Sequence, residues 1–393
     1  MACKWVKLAC QRHLHDLEHS HKRGLHFDEK AGARAIKFFN FLKHSKGEWA
    51  NKPVVLEPWQ QFCVWVVFGW KRADGTRRFR SVYQEVARKN GKSTMVSGIG
   101  LYMLLADGEA GAEIYSAATK RDQAKITWME AARMARKTSG LNKLINIFGD
   151  RNPKATSCSI SVSLTGSKFE PLGRDADSMD GLNVHCALID ELHAHKNRDM
   201  VDILDTATGS RRQPLIWMIT TAGYNRQTIC FEMHQYTEKV LSDLVEDDSF
   251  FGIIFSLDEE DDWEDERCWA KSNPNLGVSK RLDDMRAKAL KAKEQPSAQN
   301  AFLRLELNTW TQAETRWINI EHWNDCNKAF DVESLQGREC YGGLDLSSTL
   351  DVTALVLVFP PQKLDEDYIV LPFFWVPEET IIQRSKRDRV PYD

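Results

Sequence analysis

The 393-residue chain carries 53 Lys+Arg and 56 Asp+Glu for a formal net charge of −3, with 42% hydrophobic and 10% aromatic residues. That apolar content is enough for a core and excludes a disordered or collagen-like chain; the length implies two domains, or one large domain and part of a second. Residues 1–140 hold 25 Lys+Arg against 13 Asp+Glu and the remainder 28 against 43, so the first part suits a polyanion such as nucleic acid or nucleotide. Uneven surface charge alone gives the same count.

The nine cysteines are scattered and never form CxxC, which predicts reduced thiols in a cytosolic protein. The first residues lack the continuous apolar stretch of a signal peptide. The longest apolar run, Phe62 to Trp70, falls short of the ~20 residues of a membrane helix. A soluble intracellular chain with no membrane partner is expected.

In chain order, His13, His15, His19, His21 and His26 crowd the start without the ligand spacing of a structural zinc site, so a polar helical lead-in is predicted. Ala35, Ile36, Phe38, Phe39 and Leu42 follow at helical spacing. Strands are predicted at Arg80–Ala87, Glu113–Ala118, Cys158–Leu164, Val184–Ile189, Leu215–Thr221 and Phe250–Leu257. Helices are predicted after Lys92, from Arg121 to Lys137 and after Asn225. Such alternation predicts an α/β domain with a mostly parallel sheet. Asp258–Glu266 (DEEDDWEDE) reads as a solvated loop, Lys280–Leu307 as helices broken near Pro296, and Tyr341–Leu346, Val352–Phe359 and Tyr368–Val376 as three strands.

The strand ending near Ala87 runs into Arg88-Lys89-Asn90-Gly91-Lys92-Ser93-Thr94 and then a helix. Strand, loop and helix in that order give a GK[ST] motif its meaning, because backbone N–H groups and a helix N-terminus cradle phosphates. Lys92 would reach the β- and γ-phosphates and Ser93 would coordinate Mg²⁺. Val86 stands where the GxxxxGK[ST] pattern has its first glycine. A second motif, Cys186 to Glu191 (CALIDE), is an apolar strand ending in two carboxylates. Asp190 would hold the metal's hydration shell and Glu191 would act as general base on the attacking water. Arg88, within the loop, is a candidate arginine finger in cis, and Arg174 a candidate in trans for a neighbouring subunit.

With these motifs in place, the chain resembles the large terminase subunit of tailed bacteriophages, the ATPase of the DNA-packaging motor. Leu56-Glu57-Pro58-Trp59-Gln60 resembles the family's adenine-recognition segment, with Trp59 and Gln60 as nucleotide contacts. Arg88 to Thr94 resembles its variant Walker A loop, in which the missing glycine is usual and the arginine expected. Ile189–His195 (IDELHAH) resembles its Walker B and Thr220-Thr221-Ala222-Gly223 its coupling motif. Trp269, Asn273-Pro274-Asn275, Leu307-Asn308-Thr309-Trp310 and Trp317 resemble the connector between ATPase and nuclease. Gly342–Ser348 resembles the first strand of an RNase H-like nuclease, where Asp345 would bind a catalytic metal.

The resemblance implies a P-loop ATPase domain over residues 1–257, an acidic loop and helical connector over 258–335, and an RNase H-like nuclease over 336–393. It also implies ATP with Mg²⁺, and Mg²⁺ or Mn²⁺ for the nuclease. Double-stranded DNA, the procapsid portal, a small terminase subunit, a homo-oligomeric ring on the portal and the host bacterial cytoplasm are implied with them. Two-metal hydrolysis needs several converging carboxylates. Asp345, and Asp351 six residues on, supply two before Asp393, so an incomplete nuclease that cuts inefficiently is expected. A helicase-like nucleic-acid ATPase and a non-packaging prophage remnant are the alternatives.

Overall fold

The computed structural model describes residues 2–152, 155, 157–173, 181–195, 197–311, 323, 325–346, 352–363, 366–378 and 381. Contacts divide the chain into two units, Met1–Trp317 and Ile318–Asp393.

The first unit opens on helix α1 (Lys4–His19). His13 lies among Phe27, Phe62 and Trp70 and accepts from the Trp70 indole N–H at 3.0 Å. Strands β1 (Leu25–Phe27) and β2 (Trp70–Arg72) pair antiparallel around two helices. Helix α2 (Glu29–Phe41) starts where the Asp28 carboxylate accepts from the Ala31 N–H; of the expected stripe Ala35, Phe39 and the following Leu42 are buried and Ile36 and Phe38 half-buried. Helix α3 (Pro58–Gly69) begins with Pro58 in its first turn and a capping box between Glu57 and Gln60, and absorbs most of the long apolar run.

The central sheet follows. Its strands and helices in order are β3 (Ser81–Glu85), α4 (Lys92–Leu105), β4 (Glu113–Ala117), α5 (Arg121–Lys137), β5 (Asn146–Phe148), β6 (Ser159–Val162) and β7 (Ser167–Leu172). They continue with β8 (Val184–Asp190), α6 (Asp199–Thr206), β9 (Leu215–Thr220), α7 (Ile229–Leu241) and β10 (Phe250–Ile254). The eight strands lie in the order β10-β3-β9-β8-β4-β7-β6-β5. The run from β10 to β7 is parallel and β6 and β5 are antiparallel. Every residue of β8, β9 and β10 is buried, whereas β6 and β7 alternate buried with half-buried. That contrast separates parallel strands covered on both faces from the edge of the sheet, where β7 joins the antiparallel β6. Where one strand was expected near Cys158–Leu164, the structure has a three-stranded meander, because the chain reverses at Gly166 (φ 69°). Helix α4 lies close on the sheet through Gly100, where a Cβ would come 2.8 Å from Phe169 and 2.9 Å from Leu188.

Beyond β10, the acidic run is not wholly solvated, which corrects that expectation. Asp258 and Asp261 turn inward onto the Lys271 ammonium at 2.7 Å, with about a tenth of each side chain exposed, and Asp258 also accepts from the Lys4 N–H. Composition showed the carboxylates, but the lysine that gathers them lies on the next turn of structure. Helices α8 (Trp269–Ser272), α9 (Leu282–Glu294) and α10 (Pro296–Leu305) close over a small core of Trp269, Met285, Phe302, Leu303 and Leu307.

In the second unit, β11 (Tyr341–Asp345), β12 (Thr353–Phe359) and β13 (Ile369–Trp375) form an antiparallel sheet in that order. All nine cysteines are free. Among the described residues no helix is long and apolar enough to cross a membrane.

Candidate functional site

The chain leaves β3 through the buried Val86 and Ala87 and turns at Lys89 (φ 67°) and Gly91 (φ 77°) before α4 begins at Lys92. A side chain at Gly91 would be strained by its φ and would meet the Gln60 amide nitrogen at 3.1 Å and that of Asn275 at 3.4 Å. Arg88 and Lys89 are exposed, and Ser93 and Thr94 sit half-buried in the first turn of α4. Asn90 is fully buried, and its side-chain amide donates to the Ala87 carbonyl and to Asn273 Oδ1, each at 3.0 Å.

Lys92 is buried and its ammonium donates to the Val86 carbonyl at 2.8 Å and the Ala87 carbonyl at 3.0 Å. Burial pulls the ammonium down to about 8, against the opposing pull of Glu191 and Asp190. Asp190, at the end of β8, accepts from the Glu191 N–H at 2.9 Å and the Thr127 hydroxyl at 3.2 Å. Burial and then the neighbouring Glu191 charge raise its carboxyl to about 6, with Lys92 opposing. Glu191 turns through a left-handed backbone (φ 54°), and its carboxylate meets His193 Nδ1 at 3.2 Å. The fold thus brings together the lysine and both carboxylates that the sequence singled out.

Strand β9 runs between the loop's strand and the acidic strand. Thr220 and Thr221 at its end are buried, and Thr220 Oγ1 accepts from the His193 N–H at 3.0 Å. The Ala222 N–H donates to Asn308 Oδ1 at 2.7 Å, and the Gly223 carbonyl accepts from the Thr311 N–H at 3.3 Å. Trp59 places its ring edge-on to Phe255 and donates its indole N–H to Asn275 Oδ1, while Gln60 accepts from the Glu57 N–H at 3.0 Å. Arg174, Trp317, Ser347, Ser348 and Asp351 lie outside the described residues. Asp345 ends β11 and is exposed. Among the described residues no three His, Cys, Asp or Glu side chains gather where they could hold one metal ion.

Two groups of residues escaped the sequence reading. Glu85, at the end of β3, is fully buried and accepts from the Tyr83 hydroxyl at 2.6 Å, Asn308 at 3.2 Å and the Trp310 indole at 3.3 Å, and it pairs with His234. Lys280 is buried with its ammonium on Glu306 and Asn273 at 2.7 Å each. Glu85 follows Gln84 in a mixed strand and so carries no distinct local signal, and nothing local marks Lys280. Arg304, half-buried over the Tyr224 ring at 5.1 Å, adds a cation near His193.

The donor set suits Mg²⁺: hard oxygens from a carboxylate and a hydroxyl, with Asp190 held in a buried place that disfavours its charge until a cation balances it. A parallel sheet in which one strand separates the lysine loop from an acidic strand, with the loop opening a helix, defines a P-loop NTPase. The terminase large subunit ATPase-domain model matches residues 58–239 and the terminase large subunit endonuclease-domain model residues 244–392. The chain belongs to the terminase large subunit family, as the motif order implied.

Among relatives, protein YmfN of Escherichia coli (strain K12) is 35% identical over 213 residues, covering 53% of this chain and 47% of that protein. The terminase large subunit of Enterobacteria phage HK97 is 27% identical over 367 residues, covering 92% of this chain and 68% of that one. The crystal structure of the HK97 bacteriophage large terminase superposes with a TM-score of 0.61, covering 92% of this chain and 71% of that one. The chain therefore spans about half the length of the first relative and about two thirds of the second.

Proposed function

We propose that the chain is an ATP-hydrolysing motor subunit that drives double-stranded viral DNA into a procapsid. The observation that carries this reading is the convergence of Lys92 with Asp190 and Glu191 at the ends of strands on either side of β9. Lys92 exchanges its loop carbonyls for the β- and γ-phosphate oxygens, while loop N–H groups and the start of α4 hold the remaining charge. Ser93 and Asp190 would hold Mg²⁺, which when bound neutralises phosphate charge and orients the γ-phosphate. Glu191 takes a proton from the attacking water and His193 holds its carboxylate in place.

Arg88, exposed on the loop, faces the charge that develops on the transferred phosphoryl in cis, and Arg174 serves a neighbouring subunit. Thr220 to Gly223, tied to His193 on one side and Asn308 on the other, relay the state of the site to the connector. Trp59 and Gln60 flank the loop on the adenine side. We place the ATPase in 1–257, the connector in 258–335 and the nuclease in 336–393, and assign as partners the DNA, a ring of like subunits, the portal and a small terminase subunit. Asp345 is one ligand of a nuclease Mg²⁺ or Mn²⁺. The described residues do not complete that site. DNA-stimulated ATP turnover tests the core of the reading: Lys92→Ala and Glu191→Ala each abolish it, and turnover retained in either removes that residue's role.

A further inference from the structure

We propose that Asn273, Asn275 and Ser279 are positioning residues of the nucleotide site, holding the phosphate loop in its anion-binding shape from outside. The inference rests on the reading of Arg88–Thr94 as that loop. The Ser279 hydroxyl donates to the Lys89 carbonyl at 2.8 Å, and the Asn275 side-chain amide donates to the Asn90 carbonyl at 3.3 Å. The Asn275 N–H donates to Asn90 Oδ1 and the Asn90 amide to Asn273 Oδ1, each at 3.0 Å.

These bonds act on the loop's outer side. A trans peptide is planar with its C=O and N–H opposed, so a carbonyl held outward at Lys89 turns the Asn90 N–H away from the connector. The carbonyl held at Asn90 does the same for the Gly91 N–H. Successive N–H groups aimed one way form the concavity that binds phosphate. Left to itself, a loop with two left-handed residues, one of them not glycine, would relax.

The clamp is itself braced. The buried Lys280 ammonium donates to Asn273 Oδ1 at 2.7 Å and pairs with Glu306, and the Asn273 amide donates to the Glu306 carbonyl at 2.7 Å. The Leu305 carbonyl, at the end of α10, accepts from the Arg88 N–H at 3.0 Å, so the start of the loop's turn is tied to a second segment. Trp59, donating to Asn275 Oδ1, orients the asparagine that meets the loop.

The test is titration of the full chain with Mg²⁺ and a fluorescent ADP analogue, alongside ATP turnover. Asn273→Ala is expected to weaken nucleotide binding on the order of tenfold. Ser279→Ala, an exposed site whose loss opens no cavity, is expected to weaken it by roughly two- to threefold, and Ser279→Thr, which keeps the hydroxyl, to restore it. In each weakened variant KM for ATP rises while kcat at saturation holds, a split that lost stability alone does not produce. If the wild type binds nucleotide and Lys92→Ala does not, yet Asn273→Ala and Ser279→Ala bind as the wild type does, the positioning role is overturned. If Asn273→Ala fails to fold, the Ser279 pair decides alone. If the wild type binds no nucleotide, the reading of the loop falls and this inference with it.

Discussion

Glu85 and His234 meet at 2.9 Å, carboxylate Oε2 to ring Nδ1, at the end of the strand that feeds the phosphate loop. Burial opposes charge on the ring, but Glu85 and Glu238 overcome it and hold His234 up at about 10. A folded value above the ordinary ~6.5 gives stabilisation that is complete below that pH and is lost as pH rises through about 10. His234→Gln is therefore expected to lower the unfolding free energy by about 3 kcal/mol at neutral pH, since it leaves a buried carboxylate short of its partner. Denaturant midpoints of variant and wild type should converge above pH ~10. A gap that persists there rules out the ion pair as its source.

His193 touches both Glu191, at 3.2 Å, and Thr220, through its N–H at 3.0 Å. Burial first, and the surrounding cations with it, hold its ring below the ordinary value, although Glu191 pulls the other way. Replacing it with alanine frees the proposed base without touching the phosphate loop. Steady-state kinetics of His193→Ala should show kcat down roughly tenfold to a hundredfold with KM for ATP nearly unchanged. An equal rise in KM would place His193 in binding instead.

Asp190→Asn should separate stability from function. Ionising this buried carboxyl costs the folded state, whose value near 6 lies above the unfolded one, so stability falls as pH rises through that window. The amide removes that cost, and the nucleotide-free variant is expected to gain about 1–2 kcal/mol at neutral pH. Thermal melts with and without Mg-ADP would show it: a higher baseline midpoint, a smaller ligand shift and loss of turnover. A lower baseline midpoint contradicts the account.

Far from the loop, the fully buried Arg78 pairs with Asp16 of α1 and with Asp248, each at 2.6 Å, fastening the first helix to the sheet. Burial would raise Asp16, but Arg78 and Arg23 outweigh it and leave it below the usual carboxylate range. Its contribution is present above about pH 4 and is lost as pH falls through the depressed folded value. Asp16→Ala should cost about 3–5 kcal/mol. Proteolysis at neutral pH should then release fragments cut near residues 20–25 faster than in the wild type, and unchanged digestion would argue against the fastening.

What the sequence made legible was local. Lys92 and Glu191 stand out because a loop between strand and helix, and an apolar strand ending in two acids, are motifs complete within a few residues. The alternation around them was enough to expect a mostly parallel sheet, but not the order of its strands. Glu85 and Lys280 were invisible for the opposite reason: their partners are 149 and 26 residues away, and a single glutamate or lysine carries no periodicity. The acidic run was legible in part: Glu259, Glu260, Asp262, Glu264 and Glu266 are exposed as expected, but charge composition does not register the one ammonium that draws Asp258 and Asp261 inward. Connector residues named by resemblance alone, Asn273 and Asn275, gained a physical role only once the fold set them against Asn90.

The Lys92 ammonium resting on the Val86 and Ala87 carbonyls makes the protein's own backbone a competitor for its ligand. An arriving anion must displace two internal acceptors, and its charge is what offsets their loss. On the proposed reading, a phosphate chain that reaches the lysine and the loop amides together would gain from both at once. The lysine is thus already held at the loop by backbone carbonyls before any phosphate arrives.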